Sequence, residues 1–146
     1  MSENPFDKIV DYLFIGSARA LQTDDKFDMI VNCTKDSLIA FPDYCQNCIR
    51  IPVSDEPQES NKFMELLSQT DVLERINNAV QNKENVLVHC FAGQQRSCAL
   101  VACYLMKYYN LRPEEAINYI KSKRRIAFFG QINFISAIIH FFYYKK

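Results

Sequence analysis

Short runs of branched and aromatic residues recur along the chain, each bounded by Gly, Asp, Asn or Pro. Such runs are typical of β-strands inside a sheet. The pattern predicts strands at Tyr12–Ile15, Met29–Cys33, Cys48–Pro52 and Val86–His89. No hairpin signal joins one run to the next, so we expect helical connections and an α/β sheet that is covered on both faces.

Apolar residues spaced three and four positions apart predict helices between and after these strands. The predicted inward faces are Val72, Leu73, Ile76, Ala79 and Val80; Leu100, Val101, Tyr104, Leu105 and Tyr108; Ala116, Ile117 and Ile120; and Ile132, Ile135, Ile138, Ile139 and Phe142. Pro113 opens the third of these helices, because proline fits the first turn.

Length and composition fit one globular domain. The 146 residues are 49% hydrophobic and 23% charged, with 3 Gly and 5 Pro against 11 Phe and 8 Tyr. A chain of this kind buries a core without disulfides or structural metal and has no room for a second core of ordinary size. We therefore predict a single domain over residues 1–146.

The cysteines and the N-terminal residues indicate a reducing compartment. Several of the six cysteines lie in apolar runs, unlike those of secreted disulfide-rich domains. The first residues carry carboxylates and no apolar stretch after positive charge, so no secretory signal is expected. The longest apolar tract, residues 132–144, is shorter than the roughly 20 residues of a membrane span. We expect a soluble cytoplasmic or nuclear protein with no membrane partner.

The net charge of zero hides an asymmetry between the two halves of the chain. Residues 1–80 carry 14 acidic and 7 basic side chains, whereas residues 81–146 carry 3 and 10. We interpret this as a site for an anion in the second half. The basic run at residues 121–125 is interpreted as a solvated helix end. No zinc-finger, basic-zipper or RNA-recognition motif accompanies this run, so nucleic acid binding is the less favoured alternative.

A strand, a tight loop and a helix follow one another around residues 86–97. Gly93 allows a tight turn whose backbone N–H groups point inward at an anion, and the helix dipole adds to the attraction. Arg96 offers a planar fork that matches two phosphoryl oxygens. Cys90 then lies at the floor of this loop, where the surrounding donors favour its thiolate.

The segment His89–Ser97 fits the signature H-C-x5-R-S/T of the cysteine-dependent protein phosphatases at every fixed position. The chain most resembles the small dual-specificity phosphatases, over nearly its whole length. Further similar segments are Ile9–Ser17 with Ala20, Ile30–Thr34 and Ile51–Asp55, and departures are Gln94–Gln95 and Gly130–Gln131. The resemblance implies a central mixed sheet of roughly five strands flanked by helices, with the Cys-x5-Arg loop between a strand and a helix. It also implies that no metal and no organic cofactor is needed.

The chemistry assigns a role to each group of the loop. The Cys90 thiolate attacks phosphorus and forms a cysteinyl phosphate, Arg96 clamps the phosphoryl oxygens, and Ser97 donates a hydrogen bond to the departing sulfur. The remaining loop residues are expected to contribute backbone N–H groups, with the side chains of Phe91, Gln94 and Gln95 at the rim. These phosphate-binding residues are Phe91, Ala92, Gly93, Gln94 and Gln95.

A general acid is also required, because a phenol of pKa about 10 leaves poorly without a proton. Asp55 lies between Pro52 and Pro57, which hold this stretch as a loop. Asp55 is the predicted acid, and it is reused as the base that activates water. Glu56 is the alternative.

Four further predictions concern residues outside this loop. His89 is expected to organise the loop with its side chain turned away from the cavity floor. Gln131 helps to position the hydrolytic water, by resemblance to the family, or else is an exposed residue at a helix start. The pair at Cys45–Cys48 has no second pair of ligands, so no zinc or other metal site is expected. Cys33 is a candidate disulfide partner for an oxidised Cys90.

The predicted function is removal of phosphate from phosphotyrosine, phosphoserine and phosphothreonine in proteins, with inhibition by phosphate-like oxyanions. The chain has no segment for the added recognition loop of phosphotyrosine-only relatives, so the pocket is expected to be shallow. Alternatives are an RNA 5′-phosphatase, a phosphoinositide phosphatase, or a phospho-binding module with little turnover. Neutral Gln94 and Gln95 disfavour the lipid substrate, and retention of the thiol, the arginine and the acid disfavours the binding module.

Overall fold

The computed structural model describes residues 4–35 and 37–146 of the chain. Within these ranges, five strands form one mixed sheet: β1 Phe6–Val10, β2 Leu13–Gly16, β3 Met29–Asn32, β4 Asn47–Arg50 and β5 Val86–His89. Their spatial order is β1-β2-β5-β3-β4. The β1 strand runs antiparallel to β2, and the other neighbours are parallel. The four strands predicted from the pattern are present, with ends shifted by at most two residues.

The first two strands form a hairpin, which contradicts the expectation of a sheet without hairpins. The turn between them includes Tyr12, whose φ of 70° lies in the left-handed region that non-glycine residues rarely adopt. Hairpin turns are usually recognised by Asn-Gly or Asp-Gly pairs, and neither pair is present here. The pattern therefore assigned this turn residue to the strand that follows it.

Five α-helices lie in the described part of the chain: α1 Ser60–Thr70, α2 Val72–Gln81, α3 Arg96–Tyr108, α4 Pro113–Lys123 and α5 Ile135–Tyr144. Short 3-10 helices lie at Ala18–Gln22 and Pro57–Glu59. The buried apolar side chains of all five α-helices join one core on a single face of the sheet. None of the helices described is long and apolar enough to cross a membrane.

Two helices differ from the expectation. The α1 helix was not predicted, although its apolar residues Phe63, Met64, Leu66 and Leu67 recur at helical spacing. The α5 helix is rotated from its predicted orientation. Ile135 and Ile139 are 37% and 43% exposed, and Ala137 and Phe141 are buried in their place, while Ile138 is buried as predicted.

Alternation along the strands divides the sheet into two apolar faces. The face toward the helices carries Leu13, Ile15, Met29, Val31, Val86 and Val88, and the other carries Phe14, Ile30 and Leu87. A smaller cluster around Phe6, Phe14 and Phe27, with ring centroids 5.2–5.7 Å apart, covers this second face. Loop residues and the first 3-10 helix complete the cover, so both faces are buried as expected.

The carboxyl ends of the parallel strands meet at one edge of the sheet. In the registers, Gly16 on β2 and Asn32 on β3 both pair with His89 on the central strand β5. The loops that follow these three strands therefore begin side by side. Ligand sites of open α/β sheets form at this edge.

Candidate active site

The loop of residues 90–96, termed the phosphate loop, connects the buried strand β5 to α3. Gly93 is its tightest point. Gly93 has a φ of +70°, as the predicted tight turn requires. A Cβ atom at this position would lie 2.6 Å from a guanidinium nitrogen of Arg124 and 2.6 Å from the carbonyl oxygen of Gly16. Only glycine fits here.

Arg124 holds this loop from behind, which corrects the interpretation of residues 121–125 as a solvated run. Its side chain is 1% exposed, and its Nε donates to the carbonyl oxygen of Gly93 at 2.9 Å. Its Nη1 donates to the Asp7 carboxylate at 2.8 Å and to the carbonyl oxygen of Asn4 at 3.1 Å. The Asp7 carboxylate compensates the buried positive charge. Residues near the N-terminus thus help to shape the loop.

Cys90 and Ser97 are brought together, as the predicted mechanism needs. Cys90 is 1% exposed, and its Sγ lies 3.2 Å from the Oγ of Ser97. Ser97 is the second residue of α3 and is itself buried. Its hydroxyl can donate a hydrogen bond to a thiolate or to a departing sulfur.

His89 is buried beside the nucleophile. Its Nδ1 lies 3.2 Å from the carbonyl oxygen of Cys90. Burial lowers the pKa of His89 to about 4, the guanidinium groups of Arg50 and Arg96 act in the same direction, and the contact with Cys90 opposes them. The ring is therefore neutral near pH 7 and must carry its proton on Nδ1 to donate this bond. This geometry fits the predicted organising role.

Arg96 begins α3 and faces an open cleft. Its Nη1 donates to the carbonyl oxygen of Val53 at 3.1 Å, which ties the phosphate loop to the segment that follows β4. Its Nε has no hydrogen-bond partner among the described residues. The cleft measures about 320 Å³ and is lined by Thr34, Lys35, Ile39, Ser54, Asp55, Phe91 and Arg96. Asp55 and Arg96, predicted from separate segments, thus share one space.

Asp55 lies on an exposed loop whose shape depends on Glu59. The carboxylate of Glu59 accepts a hydrogen bond from the backbone N–H of Ser54 at 2.9 Å, and this bond lowers the pKa of Glu59. The alternative acid Glu56 is exposed and is not among the described residues that line the cleft. The geometry favours Asp55.

The side chain of Gln95 is buried, so the expectation that it lies at the rim is wrong. It is 6% exposed, and its Nε2 donates to the carbonyl oxygens of Gln131 at 2.7 Å and Phe129 at 3.3 Å. Its Oε1 accepts from the backbone N–H of Asn133 at 3.0 Å. Gln131 meets the loop through its backbone, while its side chain is exposed. The role predicted for the Gln131 side chain stays a prediction.

Sequence reasoning missed three contributors to the site, namely Arg124, Asp7 and Asn133. Nothing in the run of basic residues at 121–125 marks Arg124 as the buried one, since its partners are distant in the sequence. Asn133 gave a signal, because it interrupts an apolar tract. Its Nδ2 donates to the Oδ1 of Asp55 at 2.9 Å.

The other cysteines lie at different distances from this centre. The backbone N–H of Cys33 donates to the carbonyl oxygen of His89 at 2.8 Å, which places Cys33 beside the start of the loop. Burial, and next the neighbouring Cys90, raise the pKa of Cys33. Cys45 and Cys48 are half-buried, and no group of three or more His, Cys, Asp or Glu that could hold a metal ion lies in the described ranges.

Residues 13–143 match the model of the family described as dual specificity phosphatase, catalytic domain. The "Putative tyrosine phosphatase 123R" of Invertebrate iridescent virus 6 is 29% identical over 137 residues, which cover 92% of this chain and 89% of that protein. Human dual specificity protein phosphatase 4 is 29% identical over 136 residues, which cover 86% of this chain and 33% of that protein. The chain thus spans about a third of that human relative.

Solved structures show the same fold. The "mouse putative dual specificity phosphatase complexed with zinc tungstate" superimposes with a TM-score of 0.80 at 26% identity, over 97% of this chain and 87% of that one. Human DUSP28 gives a TM-score of 0.79 at 24% identity, over 97% and 94% of the two chains. The predicted fold and the predicted class, a protein phosphatase, are confirmed. The chain belongs to the dual specificity phosphatase family.

Proposed function

We propose that the protein removes phosphate from tyrosine, serine and threonine side chains of other proteins through a cysteinyl phosphate on Cys90. The observation that carries this proposal is the shared cleft, in which Asp55 faces the phosphate loop and Arg96. Contacts between distant segments, from Asn4 through Arg124 to the loop and from Asn133 to Asp55, support its action as one catalytic domain.

In the first step, the thiolate of Cys90 attacks phosphorus while the phosphate lies in the loop. Backbone N–H groups and the guanidinium of Arg96 bind the three non-bridging oxygens and stabilise the charge that develops on them. The S–P bond forms as the bond to the leaving oxygen breaks. Asp55 gives its proton to that oxygen, so the alcohol or phenol leaves neutral.

In the second step, water hydrolyses the cysteinyl phosphate. Asp55, now a carboxylate, takes a proton from the attacking water, and the S–P bond breaks to release inorganic phosphate. The hydroxyl of Ser97, 3.2 Å from the sulfur, donates a hydrogen bond to the thiolate that leaves. The enzyme returns to its starting charge state.

The openness of the cleft supports action on aliphatic as well as aromatic phosphoesters. A shallow site lets the short phosphoserine and phosphothreonine side chains reach Cys90. Phe91, 66% exposed at the rim, offers a surface for the ring of phosphotyrosine. Because the chemistry needs a free thiol, we place the protein in a reducing compartment, the cytoplasm or nucleus. The tungstate named for the mouse relative, a tetrahedral oxyanion, supports inhibition by phosphate-like oxyanions.

The proposal is tested by turnover of a substrate panel. Matched phosphotyrosine, phosphothreonine and phosphoserine peptides, a short-chain phosphoinositide and a triphosphorylated RNA are compared by kcat/KM, with Cys90→Ser as the control. We expect turnover of all three peptides that survives a chelator, is inhibited by vanadate and is absent in Cys90→Ser.

Three results would each contradict part of this proposal. Loss of activity on chelation excludes the thiolate mechanism. A higher kcat/KM on RNA or lipid than on every peptide reverses the substrate class. Inactivity on both aliphatic phosphopeptides excludes the shallow site.

A further inference from the structure

An acid on an exposed loop needs support from neighbouring groups if it is to meet the leaving oxygen. Proton transfer depends on a heavy-atom separation near hydrogen-bond distance, and a mobile carboxylate meets that condition only part of the time. The carboxylate of Asp55 is exposed to solvent. Its Oδ1 accepts a hydrogen bond from the Nδ2 of Asn133 at 2.9 Å, and its backbone oxygen lies 3.4 Å from the same nitrogen.

Asn133 is in turn held by the phosphate loop. Its backbone N–H donates to the Oε1 of Gln95, and the Nε2 of Gln95 donates to the carbonyl oxygens of Phe129 and Gln131. The orientation of this amide is fixed by its partners, because the reverse orientation would set its NH₂ group against the N–H of Asn133. All three bonds involve a side chain that is 6% exposed, where competition from water is weak.

The segment that carries Asn133 has no regular structure of its own. Residues 129–134 lie between α4 and α5, outside any helix or strand, and Gly130 there has a left-handed φ of 75°. Its ends are held by the backbone hydrogen bond from Phe128 to Gln94 and by the burial of Phe134, and side-chain hydrogen bonds hold the residues between them. Gln95 supplies these bonds and stands directly before Arg96, so the phosphate-binding loop and the acid are linked through one buried amide.

We propose that Gln95 and Asn133 are positioning residues that hold Asp55 over the phosphate loop for proton transfer. Gln95 fixes residues 129–133 to the loop, and the Asn133 amide fixes the carboxyl group of Asp55. Because Nδ2 donates to Oδ1, the transferable proton resides on Oδ2, which gives it to the leaving oxygen and later takes one from water. This inference rests on the proposed function, in which Asp55 is the acid.

The dependence of kcat/KM on the leaving group tests this role. This quantity reports the first chemical step, in which only a weakly acidic leaving group needs the proton. We compare phenyl phosphate, whose phenol has a pKa of about 10, with 4-nitrophenyl phosphate, whose phenol is far more acidic. The variants are Asp55→Asn, Asn133→Ala, Asn133→Asp and Gln95→Met. Gln95→Met keeps the length of the side chain without its hydrogen bonds, and Asn133→Asp keeps the size without the donor. The control is Asn118→Ala, an exposed asparagine on α4.

We expect each positioning variant to lower kcat/KM on phenyl phosphate about tenfold, less than loss of the acid itself, which costs ~10²-fold or more. On 4-nitrophenyl phosphate the same variants should change kcat/KM less than about twofold. The affinity of Asn133→Ala for vanadate should match that of wild type. An unchanged affinity also shows that the phosphate-binding loop of this variant is folded. Asn133→Ala should add no further loss on phenyl phosphate in an Asp55→Asn background, because both act on one proton transfer. Asn118→Ala should behave as wild type.

Each contrary result identifies which part of the proposal is wrong. If Asp55→Asn steepens the leaving-group dependence and neither Asn133 variant does, the positioning role is wrong and the acid assignment stands. If both substrates slow equally in the Asn133 variants, or the losses add in the double variant, the positioning role is likewise wrong. If Asp55→Asn leaves the leaving-group dependence unchanged while Cys90→Ser is inactive, the assignment of Asp55 as the acid is wrong. The positioning role depends on that assignment and is then wrong as well.

Discussion

At the residue scale, the burial of His89 sets a limit on the stability of the fold at low pH. Its pKa of about 4 in the folded protein lies below its ordinary value of 6.5. Between these values the unfolded chain binds a proton that the folded protein does not, so unfolding is favoured as the pH falls. The stability that His89 contributes is complete above about pH 6.5 and is lost progressively toward pH 4.

We therefore expect the free energy of unfolding to fall by about 2 kcal/mol between pH 7 and pH 5 because of this residue. Urea unfolding at the two pH values measures the difference. His89→Asn, whose amide can still donate toward Cys90, should lose most of this pH dependence. The other histidine, His140, is exposed, so His140→Asn should keep it. An equal fall in wild type and His89→Asn would exclude this account.

At the scale of elements, the registers of β3 and β5 bring two cysteines to the same edge of the sheet. Asn32 pairs with His89, so Cys33 and Cys90 directly follow paired positions. A peroxide that enters the cleft and reaches the thiolate of Cys90 oxidises it to a sulfenic acid, which can condense with a second thiol to form a disulfide and water. Burial raises the pKa of Cys33, so little of this thiol is ionised near pH 7. Because the thiolate is the nucleophile, condensation should be faster at higher pH.

We expect mild peroxide to inactivate the enzyme reversibly, with a Cys33–Cys90 disulfide detected by mass spectrometry of peptides. Thiol reductant should restore activity in wild type and in the control Cys103→Ala, a cysteine buried in α3. Cys33→Ala should be inactivated irreversibly as oxidation proceeds past the sulfenic acid. Full recovery of Cys33→Ala, or the absence of the disulfide in wild type, would remove Cys33 from this role.

The same elements show what the sequence can and cannot predict. The segment from β5 through Arg96 into α3 was predictable, because its strand, glycine and helix signals are all local. The turn at Tyr12 and the orientation of α5 were not, since a left-handed tyrosine carries no local signal and an almost wholly apolar helix has no marked inward face. The burial of Gln95 and Arg124 depends on partners from distant segments, which no local pattern contains.

At the scale of the whole molecule, the Arg124–Asp7 pair joins the first strand to the phosphate loop. Removing one partner of a buried ion pair leaves an uncompensated charge, which is costly, whereas exposed pairs contribute little. The pair Lys8–Asp11, with both side chains largely exposed, provides a matched control on the same hairpin.

We expect Asp7→Asn to lower the free energy of unfolding by about 3 kcal/mol and to weaken vanadate inhibition, because Arg124 also holds the loop. Asp11→Asn should change stability by less than about 0.5 kcal/mol and leave inhibition unchanged. Urea unfolding at pH 7 and vanadate titration provide the two readouts. Similar effects in the two variants would show that the Arg124–Asp7 pair has no special role.

The contacts around the loop join segments that are far apart in the chain, with consequences for biosynthesis. Arg124 reaches Asn4 across 120 positions, and Asn133 reaches Asp55 across 78. A ribosome releases the nucleophile, the phosphate clamp and the acid well before Arg124 and Asn133. A nascent chain that ends before Asn133 therefore carries the complete signature motif without the contacts that hold its loop and its acid in place. The loop and the acid therefore reach their folded arrangement only after these later segments have been synthesised and have packed against them.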